Sequence, residues 1–574
     1  MLLCAGGLVA IILVAAALRL FALGLGPPGL NQDEAANAWN AYCLLKTGVD
    51  QVGQPWPIFH TRALGENRST LFIYLLMPFQ AVLGLSPLST RAAAPVFGVA
   101  TVGLMYYVAS RWFGRRVGLL AAGLLAINPW HIQHCRWGHE SSIVPFLVIL
   151  PIALLVRARL LGHPCRGASV DAPNSPRDDA RAGWALAGGL SAGVACYGYP
   201  SVRIFLPVFL ALAAIVAHRD WRVRWNLRRG RHACIAAAGG FFAMFAPLAV
   251  THLVDPEINK RAEMTKVWRS QDGAIERIGK VVERYAMHFD PAFLFVRGDS
   301  WEVFSPPGGG MFLWFTLPLM LGGVVAMAHR WWSMRNNAAP AVGIDFARSL
   351  ALLAVFTLTY PVGDMLSGHP SAHALRSLPG VIPLNMLAAL GGVWMWDALR
   401  SRSRAAAIAA SGAIALAAIG ESALDNSRRM GEYNRRPRVY HDFFVDLLEA
   451  CDFVRPRLAQ ADVVFIGDTG MPYAYVVTLV GLQYDPHRWL IEPRDWERSG
   501  WDTYRRFGKL RFLSQESVVH ELAQLRLASD GRRALLIVRP EQYGQRAPLL
   551  EIKRPDGQAV LWVCEEILGR ERVR

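Results

Sequence analysis

Thr70–Leu85, TLFIYLLMPFQAVLGL, is the stretch on which the fold turns. It is apolar but short, it holds Pro78 and Gln80, and polar residues flank it on both sides. A helix crossing ~30 Å of hydrocarbon needs roughly 20 apolar residues, because lipid offers backbone groups no partner. The stretch therefore either spans a membrane or lies along its surface as an amphipathic helix. Eleven other apolar runs are less ambiguous: Leu2–Leu23, Thr90–Trp112, Val117–Ile132, Ser141–Leu161, Trp184–Tyr199, Ile204–Ala217, Ala233–Leu253, Met311–His329, Ser349–Met365, Leu378–Trp396 and Ala405–Ala423.

The arginines between these runs decide the matter, since cytoplasmic loops carry the basic excess. If Thr70–Leu85 stays on the surface, the cytoplasmic connections hold Arg115 and Arg116, then Arg157, Arg159, Arg166, Arg177 and Arg181, then Arg219, Arg222, Arg224, Arg228, Arg229 and Arg231. Arg330, Arg335, Arg400, Arg402 and Arg404 follow on the same side, and the opposite loops keep little more than Arg136, Arg203 and Arg376. A spanning Thr70–Leu85 would invert this pattern throughout. The sequence thus predicts a multi-pass α-helical membrane protein of about eleven spans, with interfacial helices in a first outside loop. Arg19, near the outer end of the first span, reads as a snorkelling side chain. That first span, Leu2–Leu23, lacks a basic leader and a small-residue cleavage site, so it reads as retained.

Composition agrees. Of 574 residues, 53% are hydrophobic and only 18% charged, too apolar a balance for an ordinary soluble enzyme. The net charge of +16 follows from arginines placed for membrane orientation, which excludes nucleic acid as a partner. Eight cysteines without a CxxC pair indicate neither a zinc site nor a disulfide framework. Cys451 and Cys564 both fall in the polar C-terminal part and could pair if that part is exported, but two free thiols are the expected state.

The division expected is a transmembrane catalytic domain over 1–424 and a small outside α/β domain over 425–574. In the latter, Asp462–Gly467, Lys509–Leu513 and Arg533–Arg539 read as buried strands, with helices over Tyr440–Leu458 and Gln515–Leu527. Leu549–Lys553 and Ala559–Cys564 form a hairpin about Pro555-Asp556-Gly557. Asp171–Asp179 is a polar cytoplasmic loop, and Asp468-Thr469-Gly470 a turn rather than a protease triplet.

Chemistry gathers at the predicted outer ends of the spans. Asn31-Gln32-Asp33-Glu34 follows the first span, and adjacent carboxylates at a membrane surface need a partner or a task. They also suit the first turn of a helix, so a capping role competes with a catalytic one. On the same side come Glu66-Asn67-Arg68, then Trp130 to Glu140 with Arg136 and His139, then Tyr197-Gly198-Tyr199 with Arg203, and His369 to Arg376 with His373. Acids, histidines, tyrosines and arginines converging at an interface suit transfer from an anionic lipid phosphate. Arginine neutralises the leaving phosphate while a carboxylate takes the acceptor's proton.

The motifs DEAANAWNAYCLLKTG, GENRSTLFIYLLMPFQAVLGLSPLSTRAAAP, INPWHIQHCRWGHES, YGYPSVRIFLP, FLFVRGDSWEVFSPPGGG and HPSAHALRSLPGVIPL, in that order and spacing, resemble the GT-C membrane glycosyltransferases. The branch resembled holds the protein O-mannosyltransferases and the lipid A aminoarabinose transferase, in a bacterial subgroup that also shares MPYAYVVTLVGLQYDPH. The resemblance implies a polyprenyl-phosphate-linked monosaccharide donor and an inverting transfer on the outer face of the bacterial inner membrane. The acceptor is a protein, a glycan or a lipid, and membrane lipids surround the enzyme. It implies Asp33 as general base beside Glu34, with Glu66 and Glu140 as further acids. Arg68, Arg203 and Arg376, with Arg136, would bind the donor phosphate, and His139, Tyr197, Tyr199, His369 and His373 the substrate. Some relatives hold a divalent cation on the first-loop acids, here Asp33 and Glu34, and others need none. The chain departs from the aminoarabinose transferase at Asn67-Arg68-Ser69, where that enzyme has Lys-Pro-Pro, and at Glu140-Ser141, where it has Asp-Pro. Two other classes compete: a transporter of lipid-linked intermediates using Asp364 and Glu421, and a scaffold presenting the C-terminal domain.

Overall fold

Long apolar runs satisfy their backbone internally, and up to Tyr433 the chain is mostly helical. The computed structural model describes residues 2–162, 181–336, 341–467, 471, 473–499, 501–513, 515–527, 531–543 and 547–567. Asp171–Asp179 and Asp468-Thr469-Gly470 lie outside the described residues. Among those described, 6 helices are long and apolar enough to cross a membrane: Pro87–Phe113, Glu140–Arg157, Arg228–Val254, Phe346–Gly363, Leu378–Arg402 and Arg404–Tyr433. Shorter apolar helices occupy Gly6–Leu20, Leu71–Leu83, Ala182–Ala195 and Pro200–Val216.

One expected span is divided. Val117–Ile132 forms two helices, Arg115–Ala126 and Pro129–His134. Asn128 between them is extended and accepts the His131 N–H at 2.9 Å, and Pro129 opens the second helix. An asparagine cap followed by proline stops one helix and starts the next. Thr70–Leu85 contributes a helix of 13 residues, Leu71–Leu83, about 20 Å long and too short for the hydrocarbon layer.

Two compact units emerge. The first comprises Met1–Phe21, Ala94–Arg136 and Glu140–Arg428, and the second Ala22–Ala93, Trp137–His139 and Arg429–Arg574. In the first, Ala182–Ala195 packs on Arg228–Val254. A Cβ at Gly189 would meet the Ala237 carbonyl, and one at Gly240 the Leu186 carbonyl. Small residues let such backbones approach without a side chain between them. Arg19 corrects the snorkelling expectation. It is fully buried and donates to the Leu125 and Ala126 carbonyls at 3.0 and 2.8 Å. Those carbonyls lie in the last turn of the helix Arg115–Ala126, where carbonyls are left short of helical donors, so a buried cation is satisfied there.

In the second unit a hairpin joins β1 (Thr61–Ala63) to β2 (Glu66–Arg68). Seven more strands build one sheet: β3 (Val463–Gly467), β4 (Arg494–Ser499), β5 (Trp501–Phe507), β6 (Leu510–Leu513), β7 (Arg533–Val538), β8 (Leu550–Lys553) and β9 (Ala559–Ile567). Their order is β4-β5-β6-β3-β7-β9-β8, parallel for β6-β3-β7 and antiparallel outside that centre. Alternation divides β3 between two cores: Val464 and Ile466 on one face, Val463 and Phe465 on the other. The first face also buries Leu30, Ala35, Trp39 and Cys43, so the segment after the first span shares a core with the C-terminal sheet. Trp39 meets Trp489 edge to face at 6.1 Å, the Trp489 indole donates to the Gln51 carbonyl at 2.7 Å, and Asp502 accepts from Arg62 at 2.8 Å. Cys451 and Cys564 are both free and buried.

Candidate functional site

The acids after the first span sit on the helix Gln32–Thr47, and its caps explain its bounds. Asn31 accepts the Asp33 N–H, the Glu34 side chain accepts the Asn31 N–H, and Gly48 ends the helix in the left-handed region at φ 74. This capping box satisfies amides that the first turn leaves without partners. Adjacent helical residues diverge by about 100°, so Asp33 and Glu34 have different fates. Glu34 points inward, where Arg91 holds it through Nε at 2.7 Å and a second nitrogen at 2.8 Å, with no exposure on either side chain. The Gly138 N–H donates to the same carboxylate at 2.7 Å.

Asp33 points outward and keeps 26% of its side chain exposed. Arg68 donates to it at 2.7 Å and to Glu66 at 3.2 Å. The hairpin arranges this. Ala63 pairs with Glu66, and Leu64 and Gly65 turn between them with φ of 57 and 83, the two positive values of a type I′ hairpin turn. Glu66 and Arg68, two apart on one strand, then share a face. His139 completes the cluster, its Nε2 3.9 Å from Asp33.

The remaining expected residues belong to the first unit. Glu140 opens a short 3-10 helix and is buried, and its charge acts on Arg203. Arg203 donates to the Cys196 carbonyl at 3.0 Å and meets His252 at 2.8 Å. Tyr197 donates to the Met244 carbonyl at 2.8 Å, and Tyr199 precedes the helix Pro200–Val216. Arg136 donates to the Phe21 and Arg19 carbonyls at 2.8 and 3.3 Å, where the helix Leu2–Leu20 ends. Its guanidinium thus serves a helix C-terminus.

His369, His373 and Arg376 lie on a loop braced by two buried aspartates. Asp299 accepts the Ala374 and Trp301 N–H groups at 2.8 and 2.9 Å and stands 3.3 Å from His373 Nδ1. Burial works against its charge, yet His373 beside it and the Trp301 amide hold its carboxyl below the ordinary range. Burial pushes the His373 imidazole down to about 4, and it lowers His369 as well. Asp364 accepts from Arg284 at 2.7 Å, Ser367 at 2.6 Å and the His373 N–H at 3.0 Å, with His288 at 3.1 Å and Arg376 at 3.8 Å. Arg284 also donates to the His369 and Ser371 carbonyls.

Sequence reasoning missed Arg91, Arg284 and Asp299 as partners. Arg91 stood at the helical end of a serine–proline start, and Asp299 inside a quoted motif, but neither shows its partner by spacing. Among the described residues no group of three or more His, Cys, Asp or Glu is placed to hold a metal ion. The Asp33–Glu34 pair does not fit a cation either, because Glu34 is already enclosed by Arg91 and the amides of Asn31 and Gly138.

No protein-family model and no curated protein matches the sequence. Solved structures do. The chain is similar to ArnT from Cupriavidus metallidurans in the apo state, at 14% identity and a TM-score of 0.51, over 97% of this chain and 98% of that one. The same protein bound to undecaprenyl phosphate superposes at a TM-score of 0.49, with the same identity and coverage. The oligosaccharyltransferase of Archaeoglobus fulgidus, tethered to an acceptor peptide, gives 0.47 at 12% identity, over 83% of this chain and 63% of that one. Along nearly its whole length the chain has the fold of apo ArnT.

Proposed function

We propose that the protein is an inverting GT-C glycosyltransferase that moves a monosaccharide from a polyprenyl-phosphate donor to an acceptor on the non-cytoplasmic side of the membrane. The observation that carries this reading is the contrast within one helical turn: Asp33 is accessible and held by Arg68, while Glu34 is sealed against Arg91. An accessible carboxylate fixed by an arginine suits a general base. As the acceptor oxygen attacks the anomeric carbon, its proton passes to Asp33. The bond from that carbon to the phosphate oxygen breaks, and the lipid phosphate departs with the electron pair. Arg68, which donates to Asp33, is the proposed partner of that phosphate. ArnT, which shares the fold, has been crystallised with undecaprenyl phosphate, and that supports a lipid-phosphate donor. The acceptor is a protein, a glycan or a lipid.

Transfer of label from an undecaprenyl-phosphate-linked hexose by the purified protein tests the proposal. Asp33→Asn should lower the rate by ~100-fold or more with the melting temperature unchanged, and full activity in that variant would remove the base assignment. The transporter reading gains nothing from Asp364, whose carboxylate braces a loop through Arg284, Ser367 and the His373 amide.

A further inference from the structure

We infer that Arg91 and Glu34 are positioning residues: they clamp the strap Trp137–His139 so that His139 stands beside Asp33. The inference rests on the transferase reading for its kinetic consequence but not for its geometry. Neither side chain has any exposure, so neither can touch a substrate. Arg91 also donates to the Pro27 and Gly29 carbonyls at 2.6 and 2.8 Å, and Glu34 takes the Asn31 and Gly138 amides at 3.1 and 2.7 Å. The pair therefore ties together the chain entering the helix, the helix start, and the strap.

The strap is gripped on more than one side. The Gly138 carbonyl accepts from Asn37 at 3.2 Å, and Asn37 is one turn beyond Glu34 on the same helix face. Both polar groups of Gly138 are thus held by one helix. From the opposite direction, a Cβ on Gly138 would run into the backbone of Thr90, the residue before Arg91. Only glycine fits so near a neighbouring carbonyl. Trp137 anchors the strap's other end, fully buried and edge-on to Phe443 at 5.2 Å. His139, the residue after Gly138, comes to 3.9 Å from Asp33. Asp33 and its neighbour are set by the same clamp, since Asp33 immediately precedes Glu34.

A buried ion pair replaced on both sides by apolar residues of similar size is often tolerated, whereas losing one partner strands a charge. The double variant Arg91→Met/Glu34→Leu therefore separates stability from placement. It removes the acceptor for the Gly138 N–H while leaving no buried charge unpaired. The probe is diethyl pyrocarbonate, read at His139 by mass spectrometry, with His441 as an exposed control whose side chain is 42% accessible. In the double variant His139 should label more than about fivefold faster as the strap opens locally, with His441 unchanged. In the hexose transfer assay kcat should fall roughly 100-fold with KM within about twofold, as expected for misplaced reacting groups. Gly138→Ala, which keeps the ion pair, should move both readouts in the same direction. If the double variant fails to fold, Gly138→Ala carries the test alone. Unchanged His139 labelling and unchanged kcat in a folded variant would overturn the clamp. Full activity in Asp33→Asn would instead overturn the base assignment and leave the labelling result standing.

Discussion

Each of the two units holds a buried arginine–carboxylate pair, and the two differ in what surrounds them. Glu34 meets Arg91 at the start of a helix, where capping supplies amides, and the acid just before it, Asp33, keeps about a quarter of its side chain in solvent. Asp364 meets Arg284 beyond the end of an apolar helix, and its titratable neighbours His288, His373 and Asp299 are enclosed with it. Both carboxylates are satisfied by several donors, so neither advertises reactivity. What separates the regions is access. One arginine secures a scaffold with a partly exposed carboxylate beside it, and the other secures a loop whose neighbouring titratable groups are buried.

That contrast can be broken experimentally. The largest effect expected is kinetic: loss of Asp33 abolishes transfer with little change in unfolding. The next is in stability. Arg284→Ala and Arg91→Ala each strand a buried carboxylate and should cost ~3–5 kcal/mol, measured by denaturant unfolding in detergent. A loss below about 1 kcal/mol in either would mean water reaches the pair and the contrast is wrong.

A pH effect should follow from His373, whose folded value of about 4 lies below the ordinary 6.5. Well above pH 6.5 neither folded nor unfolded chain binds this proton, and the contribution is complete. As pH falls from 6.5 towards 4 the unfolded chain is protonated first, and stability drops by up to about 1.4 kcal/mol per pH unit. Asp299, held below its range, adds its own loss only at still lower pH. Thermal melts of His373→Gln across that window should be flatter than those of the parent chain, and parallel curves would sink this expectation. The smallest effect is at the helix start, where Asn31→Ala should remove ~1 kcal/mol by deleting the cap, again read from unfolding midpoints.

Much of this was legible from local pattern. The apolar runs are helices, because a run without polar interruption can bury its backbone only in itself. The strands β3, β6 and β7 stood out because central parallel strands are covered on both faces and read as continuous apolar stretches. The β4–β5 hairpin escaped notice. RDWERS and WDTYRRF alternate charge with aromatics at a sheet edge, where one face meets water. The divided run Val117–Ile132 escaped for another reason, since hydropathy averages over the Asn128-Pro129 break that capping makes decisive.

By itself the sequence determined the apolar helices, the α/β character of the C-terminal segment and the short list of acids and arginines worth attention. Those follow from composition and spacing along the chain, which local physics reads directly. Only the tertiary structure decided that Asp33 is open and Glu34 shut, that Arg136 serves a helix end, and that the first loop shares a core with strands some four hundred residues away. Those outcomes depend on which distant group arrives to desolvate or pair each charge, and no spacing along the chain encodes a partner such as Arg91.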